Sequence, residues 1–239
     1  MSNAYHKAKL MQLLSAVADN SVLRSNLRFK GGTCALMLGY LDRFSVDLDF
    51  DIINESKIKS LRPILEKVFK GEGFEIRDQS LKVLEFNLKY QALPNERNTL
   101  RFDALGTNYK NNIYENVMLP EINRYFGCQT VETMFSHKLM ALMERFDRHR
   151  TIAGRDIYDI HYFFLTGRNY LPGLIKERTG QTVQNFFLKL KDFVEKRATT
   201  EILVMDLGYL LPADKMRFVK KNLLLETIMF INDEIKRIS

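Results

Sequence analysis

From Ser45 to Ile53 the chain reads SVDLDFDII, with Val46, Leu48, Phe50 and Ile52 alternating with Asp47, Asp49 and Asp51. A period of two belongs to a β-strand with one face on a core, because successive strand side chains point to opposite sides. The other face of this strand carries three carboxylates in steps of about 6.5 to 7 Å. Alternating polar residues usually mark a solvated strand face. Aspartate is a poor strand former, however, and like charges on one face repel unless something positive sits among them. The cost points to a cation. Aspartate oxygens are hard ligands that suit Mg2+ or Mn2+. Carboxylates at i and i+2 can converge on a metal pair roughly 3.5 to 4 Å apart.

Just upstream, Gly31-Gly32-Thr33 precedes a short apolar helix expected over Thr33 to Tyr40. Helix N-termini offer free N–H donors and a positive dipole end, and glycine lets a phosphate approach the backbone. A glycine pair alone is weak evidence, since tight turns with an N-cap use the same residues. Joined to D-x-D on the next strand, it describes a phosphate cradle beside a metal platform.

The rest of the pattern is mixed. Helices are expected over Ala4 to Leu23, where Leu10, Leu13, Leu14 and Val17 share a face, and over Lys57 to Lys70. Strands are expected near Phe74 to Arg77, Leu81 to Tyr90 and Leu100 to Leu105, with a turn at Pro94-Asn95. After Thr130 the patterns are helical: Val131 to Arg150, Asp156 to Leu165, Gln184 to Arg197, Thr200 to Leu210 and Lys215 to Ile238. The fold class is therefore α+β (α/β), with a mixed-sheet N-terminal domain over 1–120 and a helical domain over 121–239. The boundary is loose, near residues 110 to 130.

Composition sets limits. The chain has 239 residues, 46% of them hydrophobic, which is enough for one large core or two small ones. No apolar run reaches the length of a membrane span, and the N-terminus lacks the apolar stretch of a secretory signal. Two cysteines, Cys34 and Cys128, make no disulfide framework and no zinc spacing. A cytoplasmic protein is expected. The formal net charge of +7 is compatible with a polyanionic partner such as nucleic acid, and equally with a solvated lysine face.

The stretches KGGT and RFSVDLD resemble the glycine-pair and D-x-D signature of the DNA polymerase β-like nucleotidyltransferases. More narrowly, KGGTCALMLGYLDRFSVDLDF, together with HKLMALMERFDRHRTIAGRDIYDIHYF from His137 to Phe163, is similar to the AbiEii/AbiGii toxin family. The resemblance covers most of the chain and rests on two separated motifs. It implies a polymerase β-like domain followed by a helical domain carrying Lys138 and the R-D-x-x-D run of Arg155, Asp156 and Asp159. It implies metal ligation by Asp47 and Asp49, with Asp103 as the third carboxylate or a plain surface acid. Gly31, Gly32 and Thr33 would hold the triphosphate, and Arg43 and Ser45 match the family pattern. Arg43 would pair with the aspartates or touch phosphate. Lys138 and Arg155 would bind phosphate, although a lysine on such a helix often only snorkels. Asp156 would act as a base or orient the lysine, while Asp51 and Asp159 stay open between site and scaffold. Arg145, Arg148, His149, Arg150 and Arg155 form a locally basic run, suited to steering RNA or to the C-terminal end of a helix.

The activity so implied is metal-dependent transfer of an NMP from an NTP to an acceptor hydroxyl, with pyrophosphate leaving. The catalytic set is Asp47, Asp49, Lys138 and Asp156. The biological setting is a toxin–antitoxin system, with tRNA as acceptor and a cognate antitoxin as protein partner. Two rivals remain: a D-x-D glycosyltransferase, and a catalytically silent protein that binds nucleotide or a partner.

Overall fold

The computed structural model describes residues 2–94, 96–106 and 109–239, residues 2 and 3 by backbone only. Asn95, half of the expected Pro94-Asn95 turn, lies outside the described residues. The chain divides into two compact units that interleave in sequence. The first comprises Met1–Gly39, Ser45–Asn108 and Tyr114–Gln129. The second comprises Tyr40–Phe44, Tyr109–Ile113 and Thr130–Ser239.

The first unit is built on a seven-stranded mixed sheet. Its elements are α1 (Ser2–Asp19), α2 (Ser21–Asn26), β1 (Leu27–Lys30), α3 (Gly31–Met37), β2 (Leu48–Ile52), α4 (Ile58–Gly71), β3 (Glu75–Gln79), β4 (Leu84–Lys89), β5 (Thr99–Gly106), β6 (Tyr114–Leu119) and β7 (Arg124–Gln129). The strand order is β3-β4-β5-β2-β1-β7-β6. β2 is central, antiparallel to β1 and parallel to β5. Its alternation is realised: Leu48, Phe50 and Ile52 are buried on one face. Register lays Phe29 against Phe50 and Phe86 against Phe102, and α4 adds Phe69. Phe102 meets the rings of Phe50, Phe69 and Phe86 at centroid separations of 4.9, 5.2 and 6.3 Å. Full burial of each such ring contributes about 1.5 to 3 kcal/mol, and the tilted and edge-on pairings add to that.

Several expectations are corrected. The helix expected over Ala4 to Leu23 is two helices, broken at Asn20. The Asn20 side chain accepts from the N–H groups of Val22 and Leu23 and so starts α2 as an N-cap. The helix expected to open at Thr33 opens at Gly31, with Lys30 at the cap position and Thr33 one turn inside. β1, β6 and β7 were not anticipated.

The second unit is helical: α5 (Val131–His149), α6 (Gly154–Leu165), α7 (Pro172–Thr179), α8 (Val183–Arg197), α9 (Thr200–Leu207), α10 (Ala213–Phe218) and α11 (Leu224–Ile238). The single helix expected over Lys215 to Ile238 is interrupted by a π-helical turn at Val219–Leu223. α5 opens on a Thr130 cap, whose hydroxyl accepts from Thr133 N–H. Gly154 is required where α6 meets α9, because a Cβ there would lie 2.9 Å from the Leu203 Cα. Phe135 packs on Phe163, with ring centroids 5.0 Å apart. Among the described residues no helix is long and apolar enough to cross a membrane.

Phe102→Ala removes the ring common to three aromatic contacts at the centre of the sheet core. It should cost about 3 to 5 kcal/mol in urea unfolding, with near-native circular dichroism in the absence of denaturant.

Candidate active site

In the first unit, β1 ends where α3 begins, and β2 returns beside β1 with Lys30 opposite Asp49 and Arg28 opposite Asp51. The turn between β1 and α3 needs glycine twice over. Gly31 has a φ of 76°, in the left-handed region. A Cβ on it would lie 2.3 Å from the Asp49 Oδ2. The Asp49 carboxylate therefore packs directly against the backbone that opens α3. Thr33 is buried, and its hydroxyl donates to the Asp47 carbonyl at 2.5 Å. This ties the start of α3 to the residue before β2. Asp47 and Ser45 are half-buried in the segment leading into β2.

β5 runs parallel to β2 with Asp103 in register with Asp49, so the two carboxylates are neighbours on one face. Glu85 of β4 is in register with Asp103 on the far side. Arg101 bridges this acidic row, reaching Asp103 Oδ2 at 2.9 Å and Glu85 Oε1 at 2.8 Å, and it also feels the charge of Asp47. Even so, burial pushes the Asp103 carboxyl up to about 6; Arg101 opposes the rise, while Asp49 and Glu85 add to it. Like charges in a low-dielectric setting are what a divalent cation would relieve.

Among the described residues, no group of three or more carboxylate, imidazole or thiol side chains is gathered into a ready cation site. Asp49 and Asp103 supply two adjoining oxygen donors, with Asp47 one strand step before Asp49. That donor chemistry fits a hard cation such as Mg2+, which is held by one or two carboxylates plus substrate phosphates rather than by an all-protein cage.

Asp51 has a different environment from its neighbours. It is 1% exposed and accepts from Lys30 Nζ at 2.5 Å, Tyr114 Oη at 2.9 Å and Gln129 Nε2 at 2.6 Å. It joins β1, β2, β6 and β7. Arg101, Glu85, Tyr114 and Gln129 were not singled out from the sequence. The available signal was that Arg101 stands two residues before Asp103, on the same strand face.

The second unit holds its own polar cluster. Asp156 and Asp159 lie one turn apart on α6, and Lys138 and Arg145 two turns apart on α5. Lys138 Nζ donates to Asp156 Oδ1 at 2.7 Å and reaches Asp159 Oδ2 at 2.9 Å. Arg43, in the Tyr40–Phe44 piece of this unit, grips Asp159 with Nε and Nη2 at 2.5 and 2.6 Å, and its Nη1 donates to the Phe44 carbonyl. Arg43 and Asp159 are essentially sealed from solvent, at 3% and 0% exposure. Burial pulls Lys138 down, but Asp156 and Asp159 more than offset it and hold the ammonium above its ordinary value. Burial likewise opposes ionisation of Asp156, which Lys138 and then Arg145 bring down to about 2. Arg145 Nε stands 3.4 Å from Asp156 Oδ2, yet neither atom has a hydrogen-bond partner among the described residues. Arg155 is half-buried at the start of α6, and its charge also lowers Asp156.

Two measurements follow. A carboxyl whose pKa is about 6 in the folded chain and about 3.9 unfolded binds more protons folded than unfolded between those values. Its contribution to stability is therefore lost as pH rises through that window. Asp103→Asn should melt higher than the wild type at pH 7 without divalent cation, with the difference closing near pH 4. Arg43→Met leaves Asp159 buried without its bidentate partner and should cost about 3 to 5 kcal/mol in chemical denaturation.

Comparisons with known proteins bear on the family and the fold. No curated protein matches the sequence. Among solved structures, JHP933 from Helicobacter pylori is similar at TM-score 0.58 and 20% identity, covering 98% of this chain and 92% of that one. A putative nucleotidyltransferase from H. pylori is similar at TM-score 0.58 and 20% identity, covering 99% and 97%. MenT4, a nucleotidyltransferase toxin from Mycobacterium tuberculosis H37Rv, is similar at TM-score 0.59 and 18% identity, covering 99% and 87%. At these identities the likeness concerns the fold. The model of the family described as nucleotidyl transferase AbiEii toxin, type IV toxin–antitoxin system, matches residues 12–185, well over half of the chain, and the chain belongs to that family of nucleotidyltransferases.

Proposed function

We propose that the protein transfers an NMP from an NTP to a hydroxyl of an RNA, with tRNA as the acceptor class, and that it acts in the cytoplasm as the toxin of a pair with a cognate antitoxin. The observation that carries this reading is the contact of Asp49 with Gly31, beside Asp103 in register. It puts one carboxylate against a glycine-opened helix start and a second beside the first, a pairing suited to nucleotide phosphates and a divalent cation together.

In this reading Asp47, Asp49 and Asp103 hold the cation, Mg2+ or Mn2+. When bound, the cation would neutralise phosphate charge and favour ionisation of the acceptor hydroxyl. Gly31 and Gly32 leave the backbone open to the triphosphate, and Thr33 holds the approach to β2 in place. Arg101 bridges Asp103 and Glu85 and opposes the rise that burial imposes on Asp103. Positioning and charge neutralisation carry most of phosphoryl-type transfer, so rigid placement of these groups is the main contribution of the chain. Lys138 is assigned to phosphate, supported by its raised pKa and its fixed contacts with Asp156 and Asp159. Asp156 orients that lysine. Held near 2, its carboxyl is ionised at neutral pH and already bonded to Lys138, which favours orientation over proton abstraction. Arg43 supports Asp159 from within the buried pair. Arg155 and Ser45 keep their family-implied roles at phosphate. The division of labour proposed is a nucleotidyltransferase-like domain followed by a helical domain; the sheet includes β7, so the division falls after Gln129 rather than at residue 120.

Incubation with each labelled NTP in turn, total tRNA and Mg2+ tests the proposal. Label should enter RNA with one NTP preferred, and Asp49→Ala should lower the rate by 100-fold or more, on the order of an essential electrostatic group. Chelation should abolish the signal and Mn2+ or Mg2+ should restore it. Label in no RNA with any NTP, from protein that still binds NTP, would overturn tRNA as acceptor.

A further inference from the structure

On the first unit, the sheet face that carries Asp49 and Asp51 continues past β1 onto β7 and β6. There it opens into a groove of about 1180 Å³ between α2 and the sheet edge. Arg24, Arg28, Arg124, Tyr125, Asn116 and Met118 are among its lining residues, and Glu115 is the one acid. Tyr125 is 60% exposed on β7, where strand alternation places it on the same face as Gly127 and Gln129. An exposed tyrosine lying on a sheet beside arginines is poorly explained by folding, since it buries little surface and has no hydrogen bond among the described residues.

The arginines are held in place. The Arg28 stem lies across Gly127, where an added Cβ would come within 2.6 Å of its Cδ. Arg28 Nη1 donates to the Leu27 carbonyl at 2.8 Å and to the Arg24 and Ser25 carbonyls at the end of α2. Among the described contacts, that leaves the Nη2 edge of the fork for a ligand. Arg124 at the rim is already neutralised by a bidentate pair with Asp19 at 2.6 and 3.0 Å, so the free positive charge of the groove rests on Arg24 and Arg28. Arg28 stands two residues before Lys30, the register partner of Asp49, so the groove begins roughly 7 Å along β1 from the acidic row. Tyr114 links the two regions: it lines the groove and donates to Asp51.

We propose that this groove takes the single-stranded segment of the acceptor RNA that adjoins the reacting hydroxyl. Arg24 and Arg28 would lie on its phosphates, and Tyr125 would stack a base. The inference rests on the RNA-acceptor reading above and locates the acceptor on the chain. Fixed cations along a groove with an aromatic platform on an open sheet are the elements by which single strands are held without sequence readout. The charge balance of the lining favours a polyanion over a protein partner.

The test uses the full chain, a fluorescently labelled single-stranded RNA oligonucleotide and anisotropy over a salt series. Tyr125→Ala and Arg24→Gln change exposed side chains, and their melting temperatures should match the wild type. Tyr125→Ala should weaken RNA binding on the order of 10-fold or more. Arg24→Gln should lower the slope of log affinity against log salt by about 0.7. Both should bind labelled NTP as the wild type does. RNA binding unchanged in both variants, or no RNA binding by the wild type, would overturn the groove. In the first case the groove would fall to a protein partner. The outcomes also separate the two proposals. Variants that lose RNA affinity while the wild type transfers no NMP to RNA would keep the groove and overturn the reaction. Efficient labelling of RNA by the groove variants would do the reverse.

Discussion

A single buried carboxylate ties the sheet together. Asp51 sits on the central strand with almost no exposure, and an ionised group there is tolerable only if its oxygens are satisfied. Lys30, Tyr114 and Gln129 do this, from β1, β6 and β7. The three partners arrive from distant points of the chain, so the carboxylate is satisfied only when those strands are in their native order and register. A one-residue slip of β2 against β1 would turn Asp51 into the aromatic core and Phe50 out of it. Register, and with it the pairing of Asp49 with Asp103, is thereby linked to one ion pair.

The row that contains Asp49 and Asp103 follows the opposite logic. There the carboxylates adjoin each other, the burial of Asp103 is only partly offset by Arg101, and the Asp103 carboxyl is pushed up to about 6. Left alone, this is a destabilising arrangement, and a fold selected only for stability would not keep it. Gly31 is the residue that takes the positive φ there without strain. The electrostatic cost survives because the aromatic core on the other face of the same strands over-determines their placement. The aspartates thus serve different ends: Asp51 holds the sheet together, while Asp49 lies beside Asp103 in a row where carboxylates crowd one another.

That distinction was invisible in the sequence. The alternation of residues 46–52 predicts a strand with all three aspartates on one face; the structure puts Asp49 and Asp51 on β2 and leaves Asp47 in the segment before it. What separates Asp51 from Asp49 is who faces them, and Tyr114 and Gln129 lie 63 and 78 residues away. The long amphipathic helices α4, α5 and α8 were legible because their apolar stripes repeat over several turns. β1 was not, because four residues of alternating LRFK are too short a signal. β6 and β7 were not, because YENVML and RYFGCQ mix polar and apolar residues on both faces, so neither shows a clear period of two. The break at Asn20 had a readable cause, a capping asparagine inside an otherwise helical run, which the leucine periodicity before it masked.

In the helical unit, R-D-x-x-D reads as one motif but its two acids have separate partners. Asp159 is the deeper of the two and binds Arg43, a residue that enters this unit from a short piece of chain between α3 and β2. Asp156 binds Lys138, and Asp159 reaches the same ammonium from the other side. Held between two carboxylates, Lys138 has already lost the rotamer freedom that a flexible lysine gives up on meeting a ligand, a cost of up to about 2 kcal/mol. The cluster holds more cations than carboxylates: Arg43, Lys138 and Arg145, with Arg155 nearby, stand against Asp156 and Asp159. The excess positive charge lies toward Arg145 and Lys138, which are more exposed than Arg43 and the two acids. Arg145 Nε and Asp156 Oδ2 face each other without a hydrogen bond between them. A buried ion-pair network that balanced its charges would have no use for an anion. This one keeps an excess cation at its accessible edge and an incompletely used carboxylate behind it, so an arriving phosphate oxygen would find a fixed lysine rather than one that must first be ordered.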